Sequence, residues 1–330
     1  MTRRDRAIGA LYGLAIGDAL GMPTQLMSRT GITERYGVID RFRAADAWHP
    51  LAGGLLAGHI TDDTEQALLL ARLLIEGHGQ VAPGIFARAL VEWEDDMRAR
   101  GSLDLLGPST KRAVQAVLDG EPLATAGRFG TTNGAAMRVT PVGNLRMWQP
   151  VDIFVDLVAE TSFVPHNTGV AIAGAAAVAA AVSAGINGAN LEGAVEAAVE
   201  AAQIAATRGA TGSPQRTSPA ASVSRSTSPT PPMSTEASPV SMRSSARVSR
   251  RRNPFRPCSE SSPLFRMTRG VPSAPLPRLA VIATLSRRWP GRSGGALHGT
   301  AGFPAEARET VATVNSLDLE PVADRLLAFR

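Results

Sequence analysis

The stretch "TDDTEQALLLARLLIEG", residues 61–77, decides the fold. A hydroxyl and acids open it, apolar residues recur at three-to-four spacing, and Gly77 closes it. That is the pattern of a capped α-helix with one apolar stripe. The pattern continues on either side. "RAIGALYGLAIGDAL" (residues 6–20) has the same periodicity, and "PGIFARALVEWEDDMRA" (83–99) opens with a proline suited to a first helical turn. "PSTKRAVQAVLDG" (108–120) begins with Ser-Thr and ends at Gly120, and "VDIFVDLVAETSF" (151–163) is amphipathic. "NTGVAIAGAAAVAAAVSAGI" (167–186) and "NLEGAVEAAVEAAQIAATRG" (190–209) are Ala-rich, and small faces of that kind let helices pack closely. No set of alternating strands is present, so the fold class is all-α.

The chain has 330 residues, of which 44% are hydrophobic and 5% aromatic, enough for one large domain or two modest ones. Cys258 is the single cysteine, so no internal disulfide framework is possible, and the expected location is cytoplasmic. The N-terminus imitates a signal peptide, with Arg ahead of an apolar run. Asp18 and the glycines at 9, 13, 17 and 21 interrupt that run, which reads instead as a mature helix. Residues 170–184 are apolar but short and weakly hydrophobic, so a buried helix is expected and no membrane association.

The net charge of +5 comes from one region. Residues 208–292 hold 15 Arg, 17 Ser and 13 Pro against two acids, Glu236 and Glu260. That region carries +13, which leaves −8 for the rest of the chain. The chain thus divides into helical residues 1–206, an anomalous low-complexity segment 207–293, and helical residues 294–330 that complete the first domain. The middle segment reads as irregular or disordered. Its one core-like run is Leu279–Leu285, "LAVIATL", which alone would pass for a short buried strand. An Arg-rich nucleic-acid tail is disfavoured, because Lys is nearly absent from the chain.

Four stretches carry chemistry. In "GHITDDTEQALLL" (58–70), Asp62 and Glu65 have the D-x-x-E spacing of a capping box. Thr61, Asp62 and Asp63 equally supply the oxygen ligands that a hard cation takes, though they cannot close a shell alone. In "GLAIGDALGMPTQ" (13–25), Gly17 and Gly21 flank Asp18, which suits either close helix packing or the approach of a ligand. In "FGTTNGAAMRVTPVG" (129–143), Gly130 and Gly134 either expose backbone N–H groups to a phosphate or belong to an ordinary loop. In "TSFVPHNTG" (161–169), His166 precedes an Ala-rich helix, as a helix-end residue or as a ligand.

In this order the four stretches resemble the ADP-ribosylglycohydrolase family. The resemblance covers about residues 5–206, and 294–330 look like the family's last helices. It implies a compact multi-helix orthogonal bundle. It also implies cleavage of the glycosidic bond between ADP-ribose and a protein side chain or small acceptor, with two Mg²⁺ ions. Asp62 and Asp63 are then catalytic, and Thr61, Asp62 and Asp63 hold metal. Asp18, Gly130, Asn133, Gly134, Met137, Arg138 and His166 then serve ADP-ribose. The implied partner is ADP-ribose or an ADP-ribosylated protein or small molecule. A monomer with no specific nucleic-acid partner is expected.

Two departures from the family pattern stand out. Gln25 occupies a position where many members carry Glu, and Gln cannot act as a base. The second acidic cluster, Gly-Gly-Asp-x-Asp-Thr, is absent, and no Asp occurs between 157 and 317. Codons for Leu279–Leu285 are compatible, in a shifted frame, with Gly-Gly-Asp-Ser-Asp-Thr. Trp289-Pro290 forces Ala in that frame. The expectation is that 207–293 is an out-of-frame reading, which leaves the chain at most a partial metal site and little activity.

Overall fold

The computed structural model describes residues 1–100, 107–209 and 290–330, which fall within one compact unit. The Leu279–Leu285 run and nearly all of the anomalous segment lie outside them. Among the described residues there are helices and no strands.

The helix that opened the sequence reading is α3 (Asp62–Glu76). Thr61 is its N-cap and Gly77 its C-cap. Before it come α1 (Arg3–Gly21) and α2 (Arg29–Tyr36). After it come α4 (Pro83–Ala99), α5 (Pro108–Leu118), and the short α6 (Leu123–Ala126), α7 (Gly134–Arg138) and α8 (Thr140–Leu145). The long α9 (Val151–His166), α10 (Gly169–Ile186) and α11 (Leu191–Ala205) follow. Helices α12 (Pro290–His298), α13 (Ala305–Val314) and α14 (Leu319–Leu327) end the chain. The side chains of Thr2, Ser28, Thr61, Thr168 and Asn190 accept backbone N–H bonds at helix starts, and of these the Thr61 start is the one the sequence signals predict. Each such cap stabilises by about 1 kcal/mol.

Helix α10 organises the core. It is apolar enough to cross a membrane by length and composition, yet 83% of it is buried inside the protein. Its Ala-rich sides let α11, α9, α8, α7 and α12 approach it. One apolar cluster joins Ile172 and Val178 of α10 to Leu70 and Leu74 of α3, Phe86 of α4 and Phe154 of α9. A second joins Val182 and Ile186, at the other end of α10, to Ile8, Leu11 and Ile16 of α1 and Val311 and Leu319 near the C-terminus.

Two arginines tie these layers through backbone carbonyls. Arg6 donates to the carbonyls of Gly185, Ala296 and Leu297. Arg330 donates to those of Gly143, Asn144, Arg146 and Ser183. Both ends of the anomalous segment are anchored. Arg208 forms ion pairs at 3.0 Å with Asp152 and Asp156 of α9, and α12 packs along α1.

Candidate functional site

The last turn of α1 meets the first turn of α3 through one carboxylate. Asp18 accepts from Thr61 N–H at 2.8 Å, Thr61 Oγ1–H at 2.7 Å, Thr64 N–H at 3.2 Å and Thr64 Oγ1–H at 2.6 Å. Helix starts leave backbone N–H groups without partners. Here a side chain 43 residues away satisfies two of them. The Thr61 hydroxyl also accepts from Asp63 N–H at 3.4 Å.

The capping box expected at Asp62 and Glu65 does not form. Thr61 and Asp18 do the capping, and Asp62 becomes the first helical residue. Glu65 turns the other way and accepts from Trp93 Nε1–H at 2.8 Å and from Arg100 at 3.1 Å. It is a strut to α4. With capping done elsewhere, Asp62 and Asp63 face a cleft of about 1360 Å³, above the roughly 300–1,000 Å³ usual for small-ligand sites. Asp62 keeps part of its surface open, though protein crowds it. Burial, then Asp63 and Asp18, push its carboxyl well above the ordinary range.

The other cleft walls come from distant parts of the chain. Gly17, Asp18, Gly21 and Gln25 line one side; Thr132, Asn133, Gly134 and Met137 line another; Gly294, His298 and Phe303 line a third. Of the residues predicted from sequence, Asp18, Asp62, Asp63, Asn133, Gly134 and Met137 reach the cleft surface. Thr61, Gly130, Arg138 and His166 stand behind it, and Thr61, Arg138 and His166 are fully or almost fully buried. The phosphate role read for Gly130 meets a geometric objection. Its N–H donates to the Gly127 carbonyl at 3.0 Å, and a Cβ on it would strike Pro165 and His166. A Cβ on Gly134 would strike the His166 ring, so both glycines make room for the segment around His166.

Behind the loop sits a buried polar layer. Arg138 is 1% exposed and lies with its Cζ 5.0 Å from the centroid of the Phe86 ring. It donates to Gln66 Oε1 and to His166 Nδ1, each at 3.3 Å. Burial lowers its pKa to about 9, and the charge of Asp62 opposes that shift. His166 Nε2 lies 2.7 Å from Thr132 Oγ1. Burial, then Arg138, holds the imidazole well below its ordinary range. The sequence reading missed Gln66 and Thr132, because neither belongs to a recognisable spacing. Thr64 it saw as part of the helix start, not as a donor to Asp18.

The donor set can be tested for a hard cation. Asp62 and Asp63 supply carboxylate oxygens, and crowded like charges favour a cation beside them. The Thr61 hydroxyl gives its hydrogen to Asp18 and one lone pair to Asp63 N–H, so one lone pair remains. Among the described residues, no group of three or more His, Cys, Asp or Glu side chains is placed to hold an ion. These residues fit one side of a coordination shell.

Residues 1–250 match the ADP-ribosylglycohydrolase family, and the chain belongs to that family. It is 40% identical over 176 residues to the uncharacterized protein YegU of Escherichia coli (strain K12), covering 53% of this chain and 52% of YegU. It is 32% identical over 164 residues to the ADP-ribosyl-dinitrogen reductase glycohydrolase of Rhodospirillum rubrum, covering 49% of this chain and 52% of that one. The chain thus spans about half the length of these curated relatives. A solved ADP-ribosylglycohydrolase-related protein complex superposes with a TM-score of 0.58 at 18% identity, over 99% of this chain and 98% of that one, which shows a shared fold.

Proposed function

We propose that this protein is a hydrolase of the ADP-ribosylglycohydrolase type, acting on the glycosidic bond between ADP-ribose and a protein side chain or small acceptor. One observation carries the reading: a helix start clamped by Asp18 turns Asp62 and Asp63 into a cleft that Thr132–Gly134 and Met137 also line. Asp62 and Asp63 are the cleft-facing groups suited to Mg²⁺, with the remaining lone pair of Thr61 buried behind them. When bound, Mg²⁺ supplies positive charge that polarises sugar oxygens and acidifies water. The chain's own residues do the rest. Asp62 and Asp63 hold water by hydrogen bonds near the anomeric carbon, in the manner of paired glycosidase carboxylates. Asn133, Gly134 and Met137 hold the ADP-ribose in register.

The segment 207–293 enters this reading as an out-of-frame stretch in place of the second acidic cluster. Supporting it, Gly294 and His298, which follow the segment closely, line the same cleft as Asp62 and Asp63. The chain as written therefore binds Mg²⁺ weakly and turns over slowly. Release of ADP-ribose from an ADP-ribosylated protein in Mg²⁺ is the assay. The protein expressed from a frame-restored gene is expected to exceed this chain by orders of magnitude. Equal rates from both, or micromolar Mg²⁺ affinity of this chain by calorimetry, sink the half-site idea. An uninterrupted gene with matching peptide masses sinks the frameshift. A second reading, an ADP-ribose-binding homologue without turnover, is favoured by the partial ligand set. Binding of ADP-ribose with no hydrolysis by the restored protein selects it.

A further inference from the structure

The buried polar layer behind the loop has a direction to it, and hydrogen-bond bookkeeping fixes that direction. A guanidinium has only donors. Arg138 Nη2 lies 3.3 Å from His166 Nδ1, so Nδ1 must be the acceptor and carries no hydrogen. The ring is buried at 0% exposure and neutral, so its one hydrogen sits on Nε2. Nε2 is 2.7 Å from Thr132 Oγ1 and therefore donates to it. The Thr132 hydroxyl then has one lone pair taken. Its own hydrogen has no acceptor among the described residues, and Thr132 lines the cleft.

We infer that Arg138 is a positioning residue: through His166 it orders the Thr132 hydroxyl as a hydrogen-bond donor into the cleft, toward an oxygen of the ligand. The device is rigid. The Cβ-less Gly134 lies against the imidazole. Phe86 covers the guanidinium, and Gln66 Oε1 accepts from its other arm. Thr168 Oγ1–H donates to the Gly130 carbonyl at 2.6 Å and Asn167 N–H to the Gly127 carbonyl at 2.9 Å, which ties the loop to the start of α10. A neutral Nδ1–H imidazole would face two hydrogens together at Arg138 and leave Thr132 to donate backwards. The cleft would then be offered only a lone pair. His166 thus reaches the cleft through Thr132 and not by its own ring. Choosing ADP-ribose as the ligand rests on the function proposed above.

The test separates the two claims. Long-range ¹H–¹⁵N correlation spectra of the histidine rings, with His166 assigned by its loss in His166→Gln, report the tautomer directly. The expected result is a neutral Nε2–H ring at about pH 7, with protonation only below the ordinary histidine range. Arg138→Met is expected to mix the tautomers. Thr132 is only half-buried, so its variants do not depend on Arg138→Met folding. Titrated with ADP-ribose, Thr132→Val is expected to bind about tenfold more weakly, while Thr132→Ser stays within about twofold. An Nδ1–H or doubly protonated His166 in the wild type overturns the inference, as does unchanged affinity in Thr132→Val. Wild-type protein that shows the Nε2–H ring but ignores ADP-ribose overturns the choice of ligand and the proposed function, and leaves the ordering of Thr132 standing.

Discussion

Helix α1 has two ends that differ in what they meet. Near its start, Gly9 lies against α12, and a Cβ on Gly9 would come within 2.5 Å of the Gly295 carbonyl oxygen and Gly299. A Cβ on Gly295 would run into the Gly9 backbone in turn. At its other end, a Cβ on Gly21 meets nothing within 4 Å, and Gly17 and Gly21 border the cleft. The same residue type, on one helix, therefore serves a backbone-to-backbone crossing at one end and open space at the other. Asp18 sits at the changeover and fastens the open end to α3. The difference shows that a small residue in a helix reports a close approach without naming the partner.

Substitutions at the two ends should give opposite results. Gly295→Ala inserts a methyl into a crossing with no free volume. Overpacking costs about 1–3 kcal/mol, and this case falls at the upper end because the backbone of α1 cannot yield as a side chain can. A large fall in melting temperature is expected, and an unchanged one would break the comparison. Asp18→Ala comes next. It leaves the hydroxyls of Thr61 and Thr64 and the Thr61 N–H without their Asp18 acceptor, while Thr64 N–H keeps the Thr61 carbonyl. Stranding buried donors of a charged acceptor costs about 2–3 kcal/mol, read by urea unfolding. Proteolysis is expected to show the α3 start loosened. Equal stability with the wild type would mean the clamp contributes nothing.

The pH dependence of folding probes the wall behind the open end. His166 has a folded pKa depressed below its ordinary 6.5 by burial and by Arg138. The unfolded chain therefore takes up a proton that the folded chain refuses. Stability is complete above about pH 6.5 and falls as the pH drops below it, by up to about 1.4 kcal/mol per pH unit for this one group. His166→Asn should remove that slope, whatever it does to stability at neutral pH. A slope that survives in the variant would place the proton elsewhere. The smallest effect is expected at Gly21→Ala, where helix propensity favours alanine by about 0.5–1 kcal/mol. Stability should hold or rise slightly while ADP-ribose binding weakens. Unchanged binding would separate this edge of the cleft from the ligand.

Local chemistry made much of the helical framework legible. Thr61 and Gly77 bound α3 as their residue types suggest, and Pro83 opens α4. Asp62 and Asp63 were singled out from two adjacent acids at a helix start, and they do face the cleft. The division of labour at that start was not legible. Two capping patterns overlap in "TDDTE", and the choice between them depends on Asp18, far away in the chain. Arg138 was visible as a loop residue, but nothing in "NGAAMRV" announces a guanidinium at 1% exposure. Periodicity places arginines at surfaces, because a buried charge needs partners that a pattern does not show.

The sequence by itself determined most of the long helices, which faces are apolar, and that a Ser-, Pro- and Arg-rich segment interrupts them. These depend on hydrogen bonds and side-chain spacing within a few residues, so they can be read in a short window. The short helices Gly134–Arg138 and Thr140–Leu145 lie where it read a loop. Only the tertiary structure decided which glycine is a crossing and which a cleft edge. It alone set the clamp of Asp18 on the start of α3, and it alone buried Arg138 to orient His166. Each of these is a contact between atoms far apart in the chain, and its energy exists only once the helices have brought them together.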